Sequence, residues 1–249
     1  MTQLVRLGLI GFGNVGQGLA QILKESHDEY LAAYDLDLRI TAVSDALKGS
    51  LHDPHGLDAG LLLDKIARDN SFKGLPGEKP GWDALTMIRE SATDVIVEMS
   101  YTDLKTGQPA TDHLREAFKN HKHAVTTNKG PVALNYGELE ALAKSQGVQL
   151  GVEGTVMSGT PTLRLAREIL AAGRIRKVMG ILNGTTNYIL TQMESGMSYA
   201  DALAEAQKLG YAEADPTGDV EGFDAAGKVV ILARLLMNTQ IGMQDVDRT

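Results

Sequence analysis

The sequence contains no cysteine, and this absence removes several kinds of chemistry at once. Without thiols the chain can form neither disulfides nor thiolate metal sites, and it has no thiol nucleophile. All six histidines lie in the first half, so acid–base chemistry in the second half depends on Lys, Asp, Glu or Tyr. Zinc-dependent alcohol oxidation, which needs Cys or His ligands, is therefore not expected there.

The chain also lacks long apolar runs and clusters of positive charge. No run approaches the ~18 apolar residues of a membrane span. Lys and Arg are scattered and the net charge is −8, so neither nucleic acid nor a membrane is an expected partner. The first residues, MTQLVRLGLIGFG, lead straight into glycines without a cleavage site, so we read no signal peptide. These features favour a cytoplasmic protein.

The remaining composition is that of a globular chain with a sizeable core, since 43% of its 249 residues are hydrophobic and 22% charged. Strand-like and helical segments alternate up to about residue 150, which predicts an α/β domain with a doubly wound parallel sheet. Residues 49–82 are interrupted by Gly and Pro and are predicted to be an irregular insertion around one helix. A further helix is predicted in NYGELEALAKSQG, after a strand and loop in HAVTTNKGP.

The pattern changes after residue 150. Helices are predicted in TPTLRLAREILAAG, TNYILTQMESG and SYADALAEAQKLG, with one strand in RIRKVMGILNG. A long apolar helix is predicted to run from near Val220 to about Met237. We therefore expect two domains, 1–150 and 151–249, the second being smaller and of α+β type.

A glycine motif, GFGNVG, follows the first predicted strand and opens a helix. In that context Gly11 would make the tight turn, Gly13 would let the backbone approach a pyrophosphate, and Gly16 would pack helix against strand. The motif favours a Rossmann-type domain that binds a dinucleotide, with a plain structural turn as the alternative. The cofactor is expected to contact the whole loop, which comprises Gly11, Phe12, Gly13, Asn14, Val15 and Gly16.

Asp45 ends the second predicted strand, where an acidic residue could accept hydrogen bonds from the ribose hydroxyls of NAD. Nearby Lys48 could instead meet the 2′-phosphate of NADP. The residues favour NAD slightly. The alternative, in which Asp45 only caps a loop, stays open.

The stretch YAEADPTGDVEGFDAAGK concentrates five carboxylates before Lys228. Its spacing does not fit an EF-type calcium loop. A helix from near Val220 would place Glu221, Asp224 and Lys228 on one face, with Asp219 at its start. Beside a nicotinamide, the lysine could polarise a carbonyl and protonate the alkoxide, and carboxylates could hold a substrate amino group and orient the lysine.

This stretch and two further segments resemble the homoserine dehydrogenases. TTNKGP and GILNGTTNYIL agree with that family, and with GFGNVG the resemblance covers nearly the whole chain. The family signature is matched at Ala206, Gly210, Tyr211, Ala212, Asp215, Pro216, Asp219, Val220, Gly222, Asp224 and Lys228.

The resemblance implies reversible NAD(P)-dependent reduction of L-aspartate 4-semialdehyde to L-homoserine, on the branch toward threonine and methionine. It implies that Lys228 is the general acid/base and that Lys129 is a second essential lysine, between cofactor and substrate. Glu213 and Asp219 would hold the substrate ammonium group, while Asp224 would lie close to the reacting carbon and Lys228.

The resemblance extends to further residues and to assembly. Ser100, Asn128 and Lys129 are expected to contact the cofactor, and Thr185 to contact substrate. The segment VEGTVMSGTP resembles a monovalent-cation loop, which would bind Na⁺ through backbone oxygens of Glu153, Val156, Ser158 and Thr160. The second domain is expected to mediate a homodimer. Family members continue beyond the long helix, so a C-terminal segment that completes the cofactor domain is expected to be missing from this sequence.

Two other functions stay open at this point. One is another NAD(P)-dependent amino- or hydroxy-acid dehydrogenase, and the other is a non-catalytic dinucleotide-binding sensor, which would not need Lys129, Asp224 and Lys228 together. Phosphorylating aspartate-semialdehyde dehydrogenase handles the same metabolite, but it needs a cysteine nucleophile that this chain does not have.

Overall fold

The structure is a computed structural model that describes residues 2–248. It divides into two compact units. The first comprises the residues up to 131 together with 135–152, and the second comprises 132–134 and the residues from 153 onward. The division thus lies close to residue 150, where the sequence pattern changes.

The first unit contains one six-stranded sheet, which confirms the α/β class predicted from the sequence. The spatial order is β3-β2-β1-β4-β5-β6, and all neighbouring strands are parallel except β2 and β3. The strands are β1 (Gln3–Ile10), β2 (Leu36–Asp45), β3 (Gly49–His52), β4 (Val95–Glu98), β5 (His123–Thr126) and β6 (Leu150–Gly151).

Strand β3 lies where the sequence predicted irregular structure, so that prediction was wrong for residues 49–52. Gly49 has φ +99°, a conformation that favours glycine, and it lets the chain reverse after Asp45. The reversed chain then pairs antiparallel with β2, Gly49 opposite Asp45.

Five helices accompany this sheet: α1 (Asn14–Tyr34), α2 (Ala59–Asp69), α3 (Ala84–Glu90), α4 (Ala110–Lys119) and α5 (Lys129–Ser145). Helix α5 begins six residues earlier than the sequence predicted. Asn128 caps it by accepting the Gly130 N–H at 3.1 Å. Pro131 lies in the first turn, where a missing N–H costs no intrahelical hydrogen bond. Pro131 is therefore compatible with a helix where the sequence predicted a loop.

Successive strand residues face opposite sides of the sheet, so the strands supply two apolar cores. The ends of β1, β2 and β4 are thereby fixed between helices on both faces, and these ends carry the glycine loop, Asp45 and Ser100. One core contains Leu9, Val43 and Val97, and the other contains Ile10, Ala42 and Ile96.

The second unit is helical in its described residues, with α6 (Thr162–Arg164), α7 (Gly184–Glu194), α8 (Tyr199–Lys208), α9 (Thr217–Val220) and α10 (Phe223–Met237). Helix α6 continues as a single π-helical turn over Leu165–Ile169, so the helix predicted in TPTLRLAREILAAG is shorter than expected. The strand predicted in RIRKVMGILNG is wrong for this structure. A strand needs a partner, and none of the residues from 153 to 248 pairs with that segment.

The helix predicted from Val220 is interrupted. Gly222, with φ +72°, separates the short α9 from α10 and serves as the N-cap of α10. Glu221 therefore does not share a helical face with Asp224 and Lys228, and Asp219 belongs to α9 instead of starting the long helix. Helix α10 does end at Met237, as predicted, and buries Val230 and Ile231 in the unit's interior.

Candidate active site

The three loop glycines differ in the space that surrounds their Cβ positions. Gly11 has φ +88°, and a Cβ there would lie 2.6 Å from the Met99 carbonyl oxygen. A Cβ on Gly16 would lie 2.6 Å from the Gly11 carbonyl oxygen, so only glycine allows this approach of helix to strand. Gly13 caps α1, and nothing lies within 4 Å of its Cβ position. Of these three glycines, only Gly13 has open space at its Cβ position, and it lies at the N-terminus of α1, the positive end of the helix dipole.

A cavity of about 730 Å³ lies beside this loop, within the size range of cofactor pockets. Its walls come from the carboxyl ends of β1, β2 and β4, where open α/β sheets bind their ligands, and from Trp82, the start of α3 and α4. They include Gly11, Gly13, Asp45, Lys48, Trp82, Ser100 and His113. The structure therefore brings four predicted cofactor residues to one pocket.

The Asp45 carboxylate ties the end of β2 to the glycine loop. Oδ2 accepts the Phe12 N–H at 2.8 Å, and Oδ1 accepts the N–H groups of Leu47 and Lys48 at 3.0 Å each. Burial disfavours the charged carboxylate, but these three donors and the Lys48 ammonium outweigh it and hold the pKa of Asp45 below its usual value. Asp45 thus caps the loop, the alternative that the sequence left open, while it also lines the pocket.

The Lys48 ammonium group forms an ion pair with the same carboxylate. Its Nζ lies 3.4 Å from Asp45 Oδ2, and both side chains are largely buried. A cation that is already paired is less available to a 2′-phosphate than an unpaired one would be.

Glu98 was missed by the sequence reasoning and lies fully buried at the end of β4. Its Oε1 accepts the backbone N–H of Ser100 at 3.1 Å and the Ser100 hydroxyl, and its Oε2 accepts the Thr126 hydroxyl at 3.0 Å. His113 Nδ1 lies 3.5 Å from Oε1. The sequence signal that could have identified Glu98 is its place at the end of the apolar run VIVE, since an acid is rarely buried without partners.

Asn128 fixes the start of α5 to the loop after β4. While its Oδ1 caps the helix, its Nδ2 donates to the carbonyl oxygens of Ser100 and Tyr101 at 3.2 and 2.9 Å. Lys129 is the first residue of α5 and is half-buried. A Cβ on the next residue, Gly130, would lie 2.5 Å from the Asp103 carbonyl oxygen. The backbone that carries Lys129 is therefore closely confined.

In the second unit, Lys228 and Asp224 form the pair predicted from their spacing of four. Nζ lies 2.6 Å from Asp224 Oδ2 and also donates to the Leu182 carbonyl oxygen. The Lys228 and Asp224 side chains are only 14% and 17% exposed, so water screens the pair weakly.

Asp219 joins this pair through Asn183, another residue that the sequence reasoning did not single out. The Asn183 Nδ2 donates to Asp219 Oδ1 at 2.6 Å and to Asp224 Oδ2 at 2.9 Å. Asn183 caps α7 and is buried. An asparagine before Gly-Thr-Thr signals a helix cap, but nothing in the local sequence indicates which carboxylates it contacts.

The other predicted substrate residues take different positions. Glu213 is exposed, and its backbone carbonyl oxygen accepts the Gln207 side-chain amide. The buried Thr185 hydroxyl donates to the Tyr211 carbonyl oxygen at 2.6 Å, so its proton is already used. Asp215, which was not predicted to bind substrate, accepts both the N–H and the hydroxyl of Thr217, an arrangement typical of an aspartate in a turn.

The segment that resembles a cation loop turns sharply. Met157 and Ser158 both have left-handed backbones, with φ of 59° and 52°. The Glu153 carboxylate accepts the N–H groups of Leu163 and Arg164 at 2.9 and 2.8 Å, and thereby satisfies free N–H groups at the start of α6. Its backbone carbonyl oxygen is the atom that the sequence predicted to bind a cation. Between residues 2 and 248, no group of three or more His, Asp or Glu side chains has a metal-binding arrangement.

No helix within residues 2–248 combines the length and the apolar character needed to cross a lipid bilayer.

A mostly parallel sheet whose first strand ends in an open glycine loop, and a second unit with a shielded lysine–carboxylate pair, are typical of a dinucleotide-dependent oxidoreductase. Comparison with known proteins narrows the class. The family model for homoserine dehydrogenase matches residues 161–249, and the model for the homoserine dehydrogenase NAD-binding domain matches residues 11–153. The chain belongs to the homoserine dehydrogenase family, whose members are NAD(P)-dependent oxidoreductases acting on a CH–OH group.

Individual relatives agree with this assignment. The chain is 46% identical to an NAD(+)-dependent homoserine dehydrogenase from Pseudomonas canavaninivorans, over 97% of this chain and 68% of the relative. It is 41% identical to a homoserine dehydrogenase from Methanocaldococcus jannaschii, over 96% and 70% of the two chains.

Solved structures of the family have the same fold. A crystal structure from Archaeoglobus fulgidus matches with a TM-score of 0.87 and 37% identity, over 98% of this chain and 71% of that one. A hyperthermophilic archaeal homoserine dehydrogenase in complex with NADPH matches with a TM-score of 0.85 and 26% identity, over 98% and 75%. These matches do not favour the two alternative functions considered from the sequence.

Proposed function

We propose that the protein interconverts L-homoserine and L-aspartate 4-semialdehyde with NAD(P), on the branch of amino-acid biosynthesis that leads to threonine and methionine. The observation that carries the proposal is the Asp224–Lys228 pair, at 2.6 Å, in a chain of this family. NAD(P), when bound, accepts or supplies the hydride. The protein's own groups then have to bind the amino acid and move one proton.

Lys228 is proposed as the proton-transferring group. In the oxidative direction its neutral amine takes the proton of the homoserine hydroxyl as the hydride leaves the same carbon. In the reductive direction its ammonium polarises the aldehyde oxygen and gives that proton to the alkoxide. Asp224 orients the lysine, and its position would place it close to the reacting carbon. The Leu182 carbonyl oxygen gives Nζ a second fixed partner.

Glu213 and Asp219 are proposed to hold the substrate ammonium group, because a carboxylate is the natural partner of an ammonium ion. Asp219 already lies beside Asp224 through their shared donor, Asn183. Glu213 is exposed and would have to turn toward the substrate. Thr185, whose proton is donated to Tyr211, would contact substrate only as an acceptor.

Lys129 is proposed as the second essential lysine, contributing to both substrate and cofactor binding. Its support is the confined backbone at the start of α5, where Gly130 allows the close approach of Asp103. A rigid backbone limits the positions that a long side chain can take, which suits a group that has to meet a small ligand.

The cofactor is proposed to contact the glycine loop, with the adjoining Phe12, Asn14 and Val15, and also Asp45, Ser100 and Asn128. NAD is proposed as the preferred form, since Lys48 is paired with Asp45 and is thereby less available to a 2′-phosphate. The Pseudomonas relative is named as NAD(+)-dependent, whereas the archaeal neighbour was solved with NADPH. Parallel assays with the two cofactors decide this point.

A monovalent cation such as Na⁺ is proposed to bind the backbone oxygens of Glu153, Val156, Ser158 and Thr160. Neutral carbonyl oxygens are hard ligands that suit such an ion, and a carbonyl can accept a second interaction beside its hydrogen bond. The Thr160 carbonyl already accepts the Thr162 N–H at 2.7 Å. Dependence of thermal stability on Na⁺ at constant ionic strength, with a bulky organic cation as the control, tests the site.

The two compact units are proposed to act as a dinucleotide-binding domain and a substrate-binding and dimerisation domain. A homodimer and a cytoplasmic location complete the proposal. Several apolar side chains between residues 178 and 181 are exposed, Met179 by 77%, which is consistent with an association surface. Analytical ultracentrifugation measures the oligomeric state directly.

The decisive experiment follows the absorbance of reduced cofactor with L-homoserine for wild type, Lys228→Ala and Lys208→Ala. Lys208 is an exposed lysine in the same unit and serves as the matched control. Lys228→Ala is expected to lose ~10²–10⁴-fold in kcat, the usual contribution of a proton-transferring group, while Lys208→Ala keeps the wild-type rate. No homoserine-dependent signal from the wild type, or equal rates in all three proteins, would refute the proposed function.

A further inference from the structure

Asn183 holds two carboxylates with one amide. Its Nδ2 donates to Asp219 Oδ1 at 2.6 Å and to Asp224 Oδ2 at 2.9 Å. The two donor protons of a primary amide are thereby both used. Asp219 and Asp224 come from α9 and α10, on the two sides of the break at Gly222. The amide is therefore a direct connection between these two elements.

The orientation of this amide is fixed by the helix that it caps. Asn183 Oδ1 accepts the Thr186 N–H at 2.8 Å and the Thr186 hydroxyl at 3.0 Å. A rotation that exchanged oxygen and nitrogen would set two donors against the Thr186 donors and would set an oxygen against two carboxylates. Because both exchanges are unfavourable, the cap of α7 aims the Nδ2 group at the acids.

The arrangement also addresses a charge problem. Two carboxylates that share one donor lie close together, and like charges at short range repel each other strongly where water is scarce. Lys228 compensates Asp224 from one side, at 2.6 Å. The Asn183 amide contributes partial positive charge to both acids without adding a titrating group. Asn183 itself is buried, so its hydrogen bonds are not exchanged readily for bonds to water.

We infer that Asn183 is a positioning residue: it sets the spacing of Asp219 and Asp224 and thereby presents the ammonium-binding acid and the Lys228 pair to the substrate as one unit. Thr186 supports this role by holding the amide oxygen. The expected kinetic effect rests on the proposed function. The spacing of the two acids, in contrast, can be observed in a structure without substrate.

The test separates the capping role of Asn183 from its contacts with the acids. Asn183→Ser keeps a good N-cap acceptor for α7 but has no group that donates to both carboxylates. Ser198→Ala is the matched control, since Ser198 caps α8 in the same unit by accepting the Asp201 N–H at 3.2 Å. It removes a cap and leaves the Asn183 contacts untouched.

Three measurements are made on wild type and both variants: kcat and KM for homoserine, affinity for reduced cofactor by fluorescence titration, and a crystal structure. Asn183→Ser is expected to lower kcat/KM about 10- to 100-fold, the usual effect of losing hydrogen bonds to charged groups. The loss should appear both as a raised KM, through Asp219, and as a lowered kcat, through Asp224 and Lys228. Cofactor affinity should stay within about twofold, as for Ser198→Ala.

The crystal structures make the result independent of the substrate. In Asn183→Ser, at least one of the two carboxylates should leave its wild-type position, while in Ser198→Ala both should keep it. Unchanged carboxylate positions with an unchanged kcat/KM would overturn the inference. If the wild-type protein did not oxidise homoserine, the proposed function would fail, and displaced carboxylates in Asn183→Ser alone would still support the positioning role.

Discussion

Lys228 Nζ lies 2.6 Å from Asp224 Oδ2, one helical turn away along α10. The two residues are the proposed proton-transfer pair, and each keeps the other in place within a partly buried environment. Neither side chain can be removed without changing the partner that stays behind. The pair should therefore respond to mutation as a unit.

A double-mutant cycle measures this coupling. Asp224→Asn and Lys228→Ala are each expected to lower kcat/KM by ~10²-fold or more, while the double variant should be no worse than Lys228→Ala alone, since groups that act together lose their effect together. The measurement is steady-state homoserine oxidation by the four proteins.

A control cycle uses Arg164→Ala and Glu168→Gln. These two residues of the second unit also form an ion pair with a spacing of four, at 3.0 Å, but both side chains are well exposed. Water screens such a pair, and neither residue belongs to the proposed site, so kcat/KM should stay at the wild-type value in all three control variants. Additive losses in the cycle of Asp224 and Lys228 would show that these two residues act independently.

The glycine loop gives a prediction that separates binding from folding. Gly13→Ala adds a methyl group where no atom lies within 4 Å and where φ is −79°, so the free energy of unfolding should change by less than ~0.5 kcal/mol. The same methyl would occupy the space proposed for the pyrophosphate and should weaken cofactor binding more than ~10-fold.

Gly16→Ala is the contrasting variant. Its methyl would meet the Gly11 carbonyl oxygen at 2.6 Å, so it should destabilise the fold by about 1–3 kcal/mol. Urea unfolding and titration with reduced cofactor measure the two effects separately. Wild-type cofactor affinity in Gly13→Ala would argue against the proposed position of the pyrophosphate.

Asp45 should contribute stability that disappears in acid. Because the pKa of Asp45 is lowered in the folded state, its contribution is fully present above the unfolded pKa, ~4, and is lost as pH falls through the folded value. Asp45→Asn would set one amide donor against backbone N–H groups and should cost ~1–3 kcal/mol near pH 7.

The difference in unfolding free energy between wild type and Asp45→Asn should therefore shrink as pH falls below ~4. Urea unfolding at pH 7, 5 and 3.5 gives this difference. Asp64→Asn is the control, since Asp64 is exposed on α2 and should show little difference at any pH. A difference that stays constant with pH would contradict the role assigned to the charge of Asp45.

Lys122 should make the fold more stable in mild alkali. Burial lowers the pKa of Lys122 to about 8, against the opposing effect of Asp94. Its Nζ donates to the Ser91 carbonyl oxygen at 2.6 Å and to the Thr93 hydroxyl at 2.8 Å. Between pH 8 and the ordinary lysine value, ~10.4, the unfolded chain binds a proton that the folded chain does not.

The contribution of Lys122 to the free energy of unfolding should therefore rise between pH 8 and ~10.4, by about 3 kcal/mol in total. Lys122→Met should remove the rise, whatever its effect on absolute stability. Lys119→Met changes an exposed lysine nearby and should keep it. Urea unfolding at half-unit steps from pH 7 to 10 measures the slopes, and parallel curves for wild type and Lys122→Met would refute the assignment.

The sequence predicted those features that depend on local pattern. The alternation of strands and helices gave the parallel sheet, and the glycine spacing gave the loop at the end of β1. A spacing of four gave the Asp224–Lys228 pair, because such residues are neighbours on any helix. The end of α10 also follows from local periodicity.

Features that depend on distant contacts were missed. Asn183 meets carboxylates 36 and 41 residues further along the chain, and no short-range rule connects them. Glu98 contacts Thr126 and His113, which belong to other elements, so its local sequence does not reveal its partners. The strand predicted in RIRKVMGILNG failed for the same reason, since pairing is decided by a partner and not by the segment itself. The break at Gly222 needed a backbone conformation that a helical pattern does not reveal.

Asn183 is followed directly by Gly184, a pair that is prone to slow loss of the asparagine amide when the chain is unfolded. A glycine N–H is little hindered and attacks the preceding asparagine amide more readily than the N–H of other residues, with loss of ammonia. Hydrolysis of the resulting cyclic imide gives aspartate or isoaspartate, and both carry a carboxylate in place of the amide. A third negative charge would then face Asp219 and Asp224 where a donor had been. In the folded protein the Asn183 amide is buried and makes four hydrogen bonds, so the change is expected from the unfolded chain, and a stable fold protects the arrangement of acids.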